Sequence, residues 1–185
     1  DTLSGERYKS RYRAEYIERA LYMCPVCRSV GTIRSHGTKF CCTHCKTEAE
    51  YTEDLKISPP IAGYTRIYEW FEWERKEIVQ KLLGGESISD GGILFRDSLK
   101  LQKKVELPGD TVSMDKTELR ITGNGADSHY PLADIDAITA VGKKKFNFYY
   151  KGKILQVKGG DRFCAIKYVH AFDGLRSAAK EEETK

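Results

Sequence analysis

From residue 91 to residue 157, apolar and polar residues alternate in short runs broken by turn-forming clusters. A period of two marks strands with one buried face. Strands are expected near 93–104, 110–114, 118–122, 129–132, 137–141, 146–150 and 154–157. The breaks between them are "LPGD", "DKTE", "GNGADS", "GKKK" and "YKGK". "FNFYYKGKILQVKGG" reads as a hairpin turning at Lys151-Gly152. The period then lengthens: Ala165, Ile166, Val169, Phe172 and Leu175 predict a helix over about 162–180, with "KEEETK" as its frayed tail.

Upstream the pattern is different. In "YEWFEWERKEIVQKLLG", Ile67, Trp70, Phe71, Glu74, Ile78 and Leu82 fall near one helical face, and Gly84-Gly85 stops it. Trp70 and Trp73 are expected as packing anchors. Tyr8, Tyr12, Tyr16, Ile17, Ala20 and Leu21 recur at rough helical spacing, which predicts a helix over part of 1–22. Short β signals lie at residues 32–34, 39–41 and 48–52, and "SPP" at 58–60 breaks regular structure. Four segments follow: a helical segment at 1–22, a cysteine-rich ribbon at 23–56, a linker and amphipathic helix at 57–90, and a strand-rich unit at 91–185. The class is α+β, mainly β. Seven strands closed by one helix predict a barrel of the pleckstrin-homology (PH) type for the last segment.

"CPVCRSVGTIRSHGTKFCCTHC" carries the clearest chemistry. A tetrahedral cation needs four ligands, and two Cys-x-x-Cys turns supply them from neighbouring hairpins. Cys24, Cys27, Cys42 and Cys45 fit a structural zinc site. Five of the six cysteines crowd into this stretch, whereas a disulfide framework would spread them. The clustering suits a metal in a reducing, cytoplasmic compartment. Using Cys41 would give a Cys-x-x-x-Cys pair, so it is read as an inward strand residue. His36 and His44 are alternative ligands placed in turns. "CPVC" resembles a redox pair, but no helix follows it to lower a thiolate pKa. Four protein ligands leave no open position for water, so such a site folds the chain and does no chemistry.

Other chemistry is sparse. "HYPLAD" sets His129 and Asp134 at the His-x-x-x-x-Asp spacing of glycerolipid acyltransferases, in which His deprotonates a hydroxyl and Asp orients it. Tyr130, Leu132 and Ile135 are instead expected as core positions of a strand, and no catalytic set is read in this chain. His170 is read as packed or surface-exposed. "GNG" at 123–125 is a turn, since no helix follows it. The 185 residues carry a net charge of +4 with 31% charged residues. That mild excess gathers at Lys103-Lys104, at Lys143-Lys144-Lys145, and at Lys151, Lys153 and Lys158. Lys143, Lys144 and Lys145 are the candidates for an anionic membrane surface. A nucleic-acid-binding ribbon is the competing reading. Against it, Arg28, Arg34, Lys39 and Lys46 are followed by Glu48, Glu50, Glu53 and Asp54, which repel phosphates. No apolar run approaches the roughly 18–20 residues that cross a bilayer. Asp1 is not Met, which points to a processed chain or a piece of a longer one.

The words around the cysteines are more specific than the cysteines. "RAEYIERALYMCPVC", "GTIRSHGTKFCCTHC", "YEWFEWER", "PLADIDAITAVGKKKFNFYYKGK" and "RFCAIKYVHAF" together resemble the C-terminal extension of bacterial lysophosphatidic-acid acyltransferase-like proteins (1-acyl-glycerol-3-phosphate acyltransferases). The resemblance runs over nearly the whole chain. It implies a parent protein whose catalytic domain lies upstream and moves an acyl chain from a thioester to lysophosphatidic acid at the cytoplasmic membrane face. It carries over Cys24, Cys27, Cys42 and Cys45 as ligands and no catalytic residue. The expected partners are the upstream acyltransferase domain and an anionic membrane surface.

Overall fold

The computed structural model describes residues 7–98 and 105–183. The chain divides into two compact units, one ending at Glu74 and the other beginning at Arg75. The boundary falls inside the helix α1 (Ile67–Leu83).

The first unit is built on a four-stranded antiparallel sheet of β1 (Ile33–His36), β2 (Lys39–Cys42), β3 (Glu48–Tyr51) and β4 (Ile57–Ser58), in sequence order. His36 pairs with Lys39, so β1 and β2 are joined by two residues, with Gly37 at φ 61°. Tight hairpins of this kind need a residue that tolerates positive φ. One sheet face buries Ile33, Phe40, Cys42 and Ala49, which pack with Ala14, Ile17, Leu21 and Trp70. The expected N-terminal helix is instead a run of turns ending in one 3-10 turn, Ile17–Arg19. Tyr16 sits at φ 63°, which no α-helix admits. The backbone of this segment bonds outward to the hairpin: Ala14 N–H donates to Gly37 O (2.9 Å) and Tyr16 N–H to Ser35 Oγ (2.8 Å). Of the series that predicts a helix, Ile17 and Leu21 are buried while Tyr8 and Tyr12 are exposed, and the hairpin supplies the backbone partners that a helix would have supplied internally.

The helix α1 buries Trp70, Glu74, Ile78 and Leu82 at four-residue intervals. Glu69 reaches back to the N–H groups of Thr65 and Arg66 (both 3.0 Å), as in a capping box. At the other end Glu86 N–H donates to Lys81 O (3.1 Å) around Gly85 at φ 91°, a Schellman stop.

Among its described residues the second unit contains nine strands and the helix α2 (Ile166–Glu183). The strands are β5 (Ile88–Gly91), β6 (Leu94–Asp97), β7 (Val105–Leu107), β8 (Thr111–Met114), β9 (Glu118–Gly123), β10 (Ala126–Pro131), β11 (Ile135–Ala140), β12 (Lys145–Tyr150) and β13 (Lys153–Lys158). They form two antiparallel sheets, β10-β9-β8-β5 and β11-β12-β13-β6-β7, rather than one seven-stranded sheet. A single stretch from Ile88 to Asp97 serves both sheets, turning at Gly92 (φ 66°). β5 lies almost wholly in the 57–90 stretch expected as linker and helix, and was not anticipated. The second half of the expected strand 93–104, including Lys103-Lys104, lies outside the described residues.

Two hairpins turn where the sequence places them: Asn124-Gly125 (φ 50° and 79°) and Lys151-Gly152 (φ 48° and 74°). The core joins Val112, Leu119, Ile121, Ile138, Phe146, Phe148 and Val157 to Tyr168, Ala171, Phe172 and Leu175 of α2. Ile166 and Val169, expected in the apolar stripe of this helix, are only half-buried; Tyr168 and Ala171 take their place. Lys167 is also buried, its ammonium 2.6 Å from Asp90, whose carboxylate accepts the Tyr168 hydroxyl at 2.8 Å.

Candidate metal centre

Cys24, Cys27, Cys42 and Cys45 converge, with all four sulfurs within 4.8 Å of one another. Cys24 Sγ lies 3.6 Å from Cys45 Sγ, and Cys27 Sγ 3.7 Å from Cys42 Sγ. Four sulfurs bonded at about 2.3 Å to one tetrahedral cation stand about 3.8 Å apart along each edge. The thiols are therefore spaced for a single ion.

The two knuckles are built alike. In the first, Cys24 N–H donates to Ser29 O (3.1 Å) and Arg28 N–H to Cys24 O (2.8 Å). In the second, Cys42 N–H donates to Thr47 O (2.8 Å) and Lys46 N–H to Cys42 O (2.9 Å). Arg28 (φ 57°) and Lys46 (φ 65°) both take the left-handed conformation that folds the turn back under its sulfurs. A hydroxyl follows each: Ser29 bonds to Cys27, and Thr47 Oγ1 lies 3.2 Å from Cys45 Sγ. The repeated phrase Cys-x-x-Cys-basic-hydroxyl was legible in the sequence and went unread there.

The electrostatics separate Cys24 from Cys27 and Cys45. Burial pushes the Cys24 thiol up to about 12, against the N–H groups of Cys27 and Val26 that point at its sulfur. Burial also raises Cys27, but hydrogen bonds from the Ser29 hydroxyl and N–H, and from His44, outweigh it and bring that thiol down to about 5. The hydroxyl and N–H of Thr47 lower Cys45. A bound cation would favour loss of the Cys24 proton that burial disfavours, since thiolates are the ligating form.

The remaining candidates resolve by position. His44 bonds to the outer side of Cys27, as a partner to a ligand and not as a ligand. His36 is exposed, 4.0 Å from Glu15. Cys41 is not an inward residue. Phe40 and Cys42 point inward on β2, and strand alternation turns the half-buried Cys41 to the opposite face.

What the sequence reading missed is how the first knuckle is held. Glu74 Oε2 accepts the N–H groups of Tyr22 (2.9 Å) and Met23 (3.0 Å), and Trp70 Nε1–H donates to Met23 O (2.7 Å). Three bonds from α1 thus fix the backbone entering Cys24. Glu74 is fully buried, which raises its carboxyl well above the ordinary range despite those two N–H groups. The available signal was an acid in the four-residue series Trp70, Glu74, Ile78, Leu82.

His129 and Asp134 are not brought together. His129 bonds to Glu118 (2.9 Å) and Asp127 (3.1 Å), and Asp134 pairs with Lys151 (3.2 Å). Tyr130 and Leu132 are half-buried, and Ile135 is in the core. His170 is packed in α2. Lys144 is paired with Asp161, while Lys143 is exposed and Lys145 half-buried. In the ribbon, Arg34 and Lys46 spend donors on carbonyls of their own turns, and Lys39 lies across from Glu50.

No family model matches the chain, and no curated protein matches it. Among solved structures it is similar to the solution structure of the N-terminal PH domain of human ARAP2 protein. The match is at 11% identity over 50% of this chain and 82% of that one, with a TM-score of 0.36. A likeness at that level transfers no ligand or activity. No helix among the described residues is long and apolar enough to cross a membrane.

Proposed function

We propose that this chain is a non-catalytic accessory region of a phospholipid-synthesising acyltransferase, pairing a structural zinc ribbon with a PH-like unit. The observation that carries the non-catalytic part is the closed set of four cysteine sulfurs. The all-thiolate tetrahedron suits Zn²⁺, and zinc bound this way has no position left to activate water or substrate. Zinc would hold Cys24, Cys27, Cys42 and Cys45 and so fix two knuckles whose segment is too short to fold on its own core. The separate engagements of His129 and Asp134 agree with this reading. The acyltransferase part rests on the sequence resemblance, which also implies work at the cytoplasmic face of a membrane and an upstream catalytic domain as partner.

The test is acyl transfer from a thioester donor to lysophosphatidic acid, measured on this chain alone and on the full gene product that contains it. Transfer by the full product and none by the chain is the expected result. Turnover by the chain alone that is lost on His129→Ala would overturn the non-catalytic reading. A full product with zinc but no transfer would overturn the acyltransferase assignment.

A further inference from the structure

One end of the five-stranded sheet collects cations that the fold does not neutralise. The strand register sets Lys145 of β12 directly opposite Lys158 of β13, and Lys158 directly opposite Leu94 of β6. Directly paired residues share a face, so Lys145, Lys158 and Leu94 form one row across three strands. Like charges placed opposite each other on adjacent strands destabilise a sheet. The turn before β12 adds exposed Lys143 at the same end. Lys144 is paired with Asp161, and Lys151, at the far end of the β12–β13 hairpin, with Asp134. Among the described residues Lys143, Lys145 and Lys158 have no acidic partner. Leu94, at the end of the row, is 41% exposed although its strand neighbour Phe95 is buried.

We infer that this row is a docking surface for an anionic lipid bilayer, with Lys143, Lys145 and Lys158 facing headgroup phosphates and Leu94 entering the interface. The lipid context rests on the accessory-region reading; the site itself stands on the register. Opposed lysines are relieved by an anionic surface. The apolar residue in the same row favours a bilayer over a free anion, which would leave Leu94 in water. A lysine near an anionic surface is worth about fivefold in partitioning, so removing two costs about 25-fold.

The experiment is co-sedimentation of the intact chain with phosphatidylcholine vesicles, with and without one-quarter phosphatidylserine, at low and high salt. Binding is expected only to the anionic vesicles and is expected to disappear at high salt. Lys145→Gln/Lys158→Gln should weaken it about 25-fold, and Leu94→Ser roughly threefold with an unchanged salt slope. Lys151→Gln should leave it unchanged. Thermal unfolding of each variant checks that the fold is intact, and Lys143→Gln, in an exposed turn, is the variant least able to disturb it.

Four outcomes would overturn the inference. They are no binding to anionic vesicles, unchanged binding of the double variant, full displacement by millimolar inorganic phosphate, or tighter binding to a single-stranded oligonucleotide than to the vesicles. None of them touches the acyl-transfer test, so the two readings fail separately.

Discussion

Glu74 offers the sharpest test of how the ribbon is held. Its Oε2 is the acceptor for two buried N–H groups at the entrance to the first knuckle, while Oε1 is buried without a hydrogen-bond partner among the described residues. Glu74→Leu strands both N–H groups. Each unsatisfied buried donor costs about 1–3 kcal/mol, and burying an extra apolar side chain returns part of that, for a net loss of about 1–4 kcal/mol. Glu74→Gln keeps the carbonyl acceptor and should cost less than about 1 kcal/mol near pH 5.5.

The two variants also differ with pH. Burial raises the Glu74 carboxyl well above its ordinary value of 4.5. Between that ordinary value and the folded one, the native state holds a proton that the unfolded chain has released. Stability from this group therefore falls as pH rises through the window. Glutamine has no such loss, so Glu74→Gln should gain on the natural chain by about 1.4 kcal/mol per pH unit above 5.5, until the folded carboxyl ionises. Urea unfolding at saturating Zn²⁺ between pH 5.5 and 8 measures this. Both tryptophans, Trp70 and Trp73, lie in the first unit, so their fluorescence reports on it. A constant difference between the glutamine variant and the natural chain across that range would refute the buried neutral carboxyl. A leucine variant as stable as the natural chain would refute the tether.

Other consequences are as direct. Cobalt titration should give one equivalent with the absorption of a tetrahedral thiolate site; Cys42→Ser should lose that signature and Cys41→Ser keep it. Chelation should shift the tryptophan fluorescence as the knuckles release the core of the first unit. A Cβ at Gly174 would overlap Val79 Cγ2, so Gly174→Ala should cost about 1–3 kcal/mol by overpacking, read from urea midpoints by circular dichroism. Asp90→Ala should cost about 3 kcal/mol by leaving the Lys167 ammonium buried and unpaired, and Asp90→Ala/Lys167→Met should recover much of it.

The sequence by itself determined the elements whose causes are local. Asn124-Gly125 and Lys151-Gly152 set two hairpins because their residues tolerate positive φ, and the apolar series from Trp70 to Leu82 set a helix because its period is helical. Cysteine spacing chose Cys24, Cys27, Cys42 and Cys45, because a knuckle is a local turn that can carry its own ligands. Tertiary structure decided what depends on a distant partner. The N-terminal segment became turns because the β1–β2 hairpin took its backbone bonds. Glu74 became a buried acceptor because Tyr22 and Met23 brought it two N–H groups. The stretch through Gly92 entered two sheets because β8 and β13 offered separate edges. The row of Lys145, Lys158 and Leu94 exists only in the register, since residues 94 and 158 meet through hydrogen bonds that no local pattern encodes.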